Sequence, residues 1–201
     1  RYGKIYASTD GSSQGIWEAE YYNHNPFDEG YDPASLSGVA YVSHNEYWRV
    51  KAPVNGNSAT LKMYWDSSSG VNPDANFKVV RWTDLATDAW QGMTIDSPNG
   101  DASSGNVSLS SPLTFGFSVS NNNHYLTFGS ATIPAYTWVG GTSTDWFTTG
   151  NWSGNIVPSA GSNITINNVT NDPVIGEGTI AQSNDIVMAS GAVLTLSPGA
   201  R

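Results

Sequence analysis

Ala59, Leu61, Met63 and Trp65 alternate with Thr60, Lys62 and Tyr64. A period of two puts the apolar set on one side of an extended chain, so this run predicts a β-strand with one buried face. Shorter runs of the same character occupy 15–22, 38–42, 47–52, 77–82, 106–109, 114–119 and 124–128. Between them lie Asn55-Gly56, the stretch 69–73 ending in Pro73, the stretch 98–101 built on Pro98 and Gly100, and the polar 121–123. Each supplies residues that preset a turn or tolerate positive φ. No twelve-residue segment carries a 3.6 period with caps; the one helical turn expected lies near 32–36, where Asp32 caps a turn opened by Pro33. Charged residues make up only 12% of the chain, and Gly, Ser, Asn and Thr fill the gaps between short apolar runs. The pattern predicts an all-β chain whose first part is an antiparallel β-sandwich.

That texture breaks at 131–134, where small residues and Pro134 form a linker. Beyond it, Trp138, Trp146 and Trp152 are set among Gly, Thr and Ser, and the alternating Asn163-Ile164-Thr165-Ile166 follows. Very short apolar runs then recur at 174–175, 186–188 and 192–196, roughly every ten residues, as in the coils of a parallel β-solenoid. The expected division is a β-sandwich over 1–133 and a tryptophan-rich cap plus a short β-solenoid segment over 134–201, with almost no helix. About three coils are needed for independent stability. The run stops inside the pattern without an evident polar cap, so a piece of a longer protein is expected.

Several motifs of the first part share an order and a character: Glu20-Tyr21-Tyr22-Asn23, Glu46-Tyr47-Trp48, Tyr64-Trp65-Asp66, Val79-Val80-Arg81-Trp82 ahead of Ala89-Trp90, and the closing Leu126-Thr127-Phe128-Gly129-Ser130. Together they resemble a β-sandwich module repeated in secreted surface proteins of the Bacteroidota. The tryptophan stretch 138–166 resembles the opening of β-helical segments in the same kind of protein. The resemblance implies export by the type IX secretion system and an adhesin-like place on the cell surface. It carries no catalytic residue with it.

Composition narrows the partners. The chain has 17 acidic and 8 basic side chains, a net charge of −9, which repels phosphate backbones and anionic lipid heads, so nucleic acid is not an expected partner. No run approaches the roughly 18 apolar residues that a membrane span requires, and no membrane insertion is expected. With no cysteine at all, disulfides, thiolate metal sites and cysteine nucleophiles are excluded.

No catalytic residue is assigned: the sequence holds neither Gly-x-Ser-x-Gly nor His-Glu-x-x-His. Glu18, Glu20 and Glu46 lie near aromatic residues and could be imagined as facing carboxylates of a glycoside-acting site. Alternation favours Glu18 and Glu20 as the solvent face of a strand. Asp28, Glu29 and Asp32, beside Asn23 and Asn25, suit Ca2+, which takes about six to eight oxygen ligands. The spacing is not that of a calcium loop, and an Asx-turn or cap uses the same residues. Trp48, Trp65 and Trp82 sit in apolar alternation and are expected to bury, whereas Trp90, Trp146 and Trp152 lie in polar stretches and are the rings to test for stacking on a sugar. A competing and preferred reading makes Trp138, Trp146 and Trp152 a cover for the end of the coil stack.

The expected function is structural or adhesive, outside the cell, through contact with a surface glycan, another protein, or a second copy at the C-terminal β edge. Two alternatives stand beside it: a carbohydrate-binding module of a secreted polysaccharide-acting protein, and a self-assembling fibre subunit. Enzymatic activity is not expected.

Overall fold

The computed structural model describes residues 3–9, 15–32, 35–83, 89–115 and 123–201. The chain divides into two compact units, Arg1–Thr132 and Ile133–Arg201. Both are built from strands, and among the described residues the only helical pieces are short 3-10 turns.

In unit 1 one sheet has the order β1 (Ile5–Thr9), β6 (Asn57–Asp66), β10 (Ser104–Ser108), β9 (Asn99–Gly100), and β11 (Leu113–Phe115) also pairs with β6. The other runs β2 (Glu18–Tyr22), β5 (Tyr47–Lys51), β12 (Asn123–Ser130), β7 (Phe77–Thr83), β8 (Ala89–Gly92), β3 (Ser35–Ser37), with β4 (Tyr41–Val42) also on β12. Among the described residues every strand pair in this unit is antiparallel except the parallel β3–β8. Strand β6 shows why the sequence folds this way: Ala59, Leu61, Met63 and Trp65 are all buried, and they meet Trp48 and Val50 of β5, Phe77 and Val79 of β7, and Leu126 and Phe128 of β12 in one core. Trp48 and Trp65 both pack edge-on against Phe128, with ring centroids 5.3 and 5.9 Å apart.

The larger sheet is covered on its second face too. Val42, Val80, Trp82 and Trp90 form a separate buried cluster beneath Phe27, Tyr31, Val39 and Tyr125. The covering segment is shaped by a 3-10 turn at Pro26–Glu29, where the Asn25 side chain accepts from the Phe27 amide at 3.1 Å and Gly30 ends the turn. The expected turn near 32–36 is therefore misplaced: Ser35–Ser37 is strand β3, and residues 33 and 34 lie outside the described residues.

Around this cover Tyr22 and Tyr47 stack at 4.4 Å, and Tyr31 packs against Tyr47 and Tyr125. Burial pushes the Tyr22 hydroxyl up to about 12, helped by its hydrogen bond to Glu20. Burial also raises Tyr31 and Tyr47. A raised phenol holds its proton more tightly in the fold than in the unfolded chain, so the stability it contributes is complete below its ordinary value of 10.0 and falls as the pH rises beyond that. Unit 1 is expected to loosen progressively above pH 10, with tyrosinate absorbance lagging behind that of free tyrosine. Complete ionisation at the free-tyrosine midpoint with the fold intact would contradict the expectation.

Unit 2 is a parallel coil. β13 (Ala135–Trp138), β14 (Asn163–Ile166) and β16 (Asp185–Met188) stack in parallel register as one sheet, and β15 (Val174–Ile175) pairs in parallel with β17 (Thr195–Leu196) as a second. A parallel bridge from Asp145 to Val174 extends the second sheet. Successive apolar runs thus alternate between two sheets, so that each coil contains two of them. Tyr136, Trp138, Ile164, Ile166 and Ile175 are buried between the layers.

Candidate functional site

All three tryptophans singled out for stacking on a sugar are closed to it. Trp90 is fully buried, opposite Trp82 in the β7–β8 register, and its Nε1 donates to the Tyr31 carbonyl at 2.8 Å. Trp146 and Trp152 are each 1% exposed. Their polar sequence neighbours are misleading because the rings bury one another: Trp152 lies edge-on to Trp138 at 5.1 Å and to Trp146 at 4.8 Å. Trp152 Nε1 donates to the Trp146 carbonyl and Trp138 Nε1 to the Asn171 carbonyl. With their faces covered, and with the N–H groups of Trp90, Trp138 and Trp152 satisfied while that of Trp146 is buried without a partner, these rings contribute packing, and no sugar reaches them.

Residues 139–155 are folded back over β13, and an antiparallel bridge joins Trp138 to Trp152. At their centre Asn151, fully buried, accepts from the amides of Thr142 and Ser143 through Oδ1, both at 2.8 Å. Its Nδ2 donates to Ser143 Oγ at 2.9 Å and to the Asp145 carbonyl at 2.8 Å. Its own carbonyl accepts from the Val139 and Gly140 amides. Gly140 has φ 59°, and a Cβ there would lie 2.6 Å from the Asn171 carbonyl oxygen, so only glycine fits. Sequence reasoning missed Asn151, which directly precedes Trp152.

The calcium candidates do not converge. Asp28 and Glu29 sit exposed in the 3-10 turn, Asp32 is exposed beyond it, and Glu29 pairs with His24 Nε2 at 3.2 Å. Among the described residues there is no group of three His, Asp or Glu side chains able to hold a metal ion. The carboxylates follow the Asx cap of Asn25, a local backbone role. Chelator is accordingly expected to leave the melting temperature unchanged, and Asp28→Asn likewise; a chelator-induced drop absent from Asp28→Asn would show an ion bound by the folded state.

Glu18 and Glu20 are also placed as the alternation requires. They lie across β2–β5 from cations, Glu18 with Lys51 Nζ at 3.0 Å and Glu20 with Arg49 at 2.9 Å. Lys51, through its hydrogen bond and its charge, holds the Glu18 carboxyl below its usual value. Glu46 is different: it is only 1% exposed and accepts from the Tyr21 hydroxyl at 2.7 Å. It forms part of the floor of a polar cleft of about 390 Å3, whose rim includes Lys4, Tyr64, Asp66, Ser104 and Asn106. The register joins four of these, setting Asp66 beside Ser104 and Tyr64 beside Asn106.

No protein-family model, no curated protein and no solved structure matches this chain.

Proposed function

We propose that the chain is an extracellular structural and adhesive module of a large secreted surface protein, of the kind Bacteroidota export by type IX secretion. The observation that supports this most is the last coil of unit 2. Ile186 and Met188 continue the columns of the buried Ile164 and Ile166, and Leu196 continues that of Ile175, yet they are 43%, 45% and 54% exposed. Val193 and Ile180 lie exposed in the same segment. Among the described residues no strand pairs with the far edge of β16 or β17. An apolar face bordered by unpaired backbone groups is suited to receiving another β element.

The opposite end of the coil is closed, since the stretch bearing Trp146 and Trp152 covers β13. Where no further coil covers the last one, contact between copies through it therefore joins like with like. Such an interface closes at two copies and does not propagate into a fibre. Light scattering of the whole chain tests this. Association to a dimer is expected for the unaltered protein, and an Ile186→Lys/Leu196→Lys variant should be monomeric with the same strand content. Monomeric behaviour of the unaltered protein at high concentration would refute the self-association, and open-ended growth would refute the sealed end. Surface labelling of intact producing cells tests the extracellular location.

A further inference from the structure

We infer that the cleft floored by Glu46 in unit 1, together with the neighbouring Tyr6, is a binding site for a neutral saccharide. The inference concerns unit 1 alone and stands whether or not the coil of unit 2 acts as proposed above.

A saccharide presents an apolar C–H face and a rim of hydroxyls, each both donor and acceptor. A site for it combines an exposed aromatic ring with a mixture of side-chain donors and acceptors, in a cavity at or above the low end of ordinary ligand volumes, about 300 Å3. The cleft has about 390 Å3 and meets these requirements. Tyr6, on the edge strand β1 opposite Lys62 of β6, is 60% exposed and lies edge-on to Tyr64 with centroids 5.6 Å apart. Its ring is held by Tyr64 but not covered by it. Lys62 Nζ sits 5.6 Å from the Tyr64 centroid and further fixes that ring.

The polar groups are of both kinds. Lys4, Ser104, Asn106 and Tyr64 line the cleft, and their side chains make no hydrogen bond among the described residues, which leaves both donors and acceptors for a ligand. Asp66 and Glu46 add carboxylates, with Glu46 held from below by Tyr21. The two carboxylates disfavour phosphate and other anions, and the polar lining disfavours an apolar ligand. A polyhydroxyl ligand matches both halves, the ring and the rim.

The floor is rigid. Gly105 of β10 lies flat on the Trp65 indole, where an added Cβ would come 2.1 Å from the ring. The indole is anchored in turn by Nε1 donating to the Asp101 carbonyl at 2.7 Å. Preorganised walls reduce the ordering cost of binding.

The test is a glycan array probed with the whole chain, followed by titration calorimetry with cellohexaose, xylohexaose, laminarihexaose and mannohexaose. Binding to at least one neutral oligosaccharide is expected. Tyr6→Ala and Asn106→Ala should each weaken it about tenfold, the worth of roughly 1.4 kcal/mol of stacking or hydrogen bonding. Tyr6→Phe should retain it, which separates stacking from any loss of fold. Ile186→Lys in the coil should not affect it. No binding to any neutral oligosaccharide overturns the site, as does binding that survives both alanine variants. Capture of choline or lysine in place of sugars would overturn the ligand class, because it would mean that the carboxylates select a cation.

Discussion

Trp152→Ala is expected to destabilise unit 2 by about 3–5 kcal/mol, the range for truncating a buried large aromatic side chain. The ring is 1% exposed and sits between Trp138 and Trp146, so its removal strips the cover from two further indoles at once. It also leaves the Trp146 carbonyl without its indole donor. Trp152→Phe keeps much of the packing and loses only that bond, so its cost should be intermediate. Because five of the eight tryptophans lie in unit 1, total fluorescence is a poor reporter. Hydrogen exchange at the amides of Ile164 and Ile166 isolates the coil. Unchanged protection there in Trp152→Ala would mean that the coil is sealed by something other than this ring.

The alternation of β6 was legible in the sequence because all its apolar residues face one core. Strand β1, Ile5–Thr9, was not: it is an edge strand, mostly exposed, and its place is set by pairing with β6. The short β3, β8 and β9 were missed for a related reason, since two to four residues carry too little pattern to stand apart from their partners. In the coil, the short apolar runs were visible but their pairing was not. Neighbouring runs belong to different sheets, so Ile164 meets Ile186 and passes over Val174.

The sites were harder to read. Local polarity suggested exposure for Trp90, Trp146 and Trp152, but what covers an indole comes from elsewhere: the Tyr31 carbonyl, 59 residues away in the chain, accepts from Trp90 Nε1. The cleft was hidden for the same reason, because Lys4, Glu46, Tyr64 and Asn106 belong to separate segments and meet through the registers of β1, β6 and β10 and the turn before β5. By contrast the roles of Glu18 and Glu20 followed from alternation alone, which places them on the face shared with Arg49 and Lys51.

Asn151 offers the second large effect. Asn151→Ala removes a fully buried side chain and leaves the part-buried amides of Thr142 and Ser143 and the Asp145 carbonyl without side-chain partners. A fully buried group so orphaned costs about 1–3 kcal/mol; these are part-buried and their losses are not additive, so the total is expected at roughly 2–4 kcal/mol. Asn151→Asp separates the two halves of the network. It keeps the acceptor for both amides but turns the donor toward Ser143 Oγ and the Asp145 carbonyl into a carboxylate oxygen. Burial and the facing carbonyl raise such a carboxyl in the fold, so the variant retains most stability below its unfolded value of about 3.9 and loses it as the pH rises through the folded one. Asn151→Asp should therefore be more stable at pH 4, relative to the parent, than at pH 7. Exchange protection of the Trp138 and Val139 amides at the two pH values decides it. No loss at either pH would show that the donor half of the network contributes nothing and that the acceptor alone holds the loop over the coil.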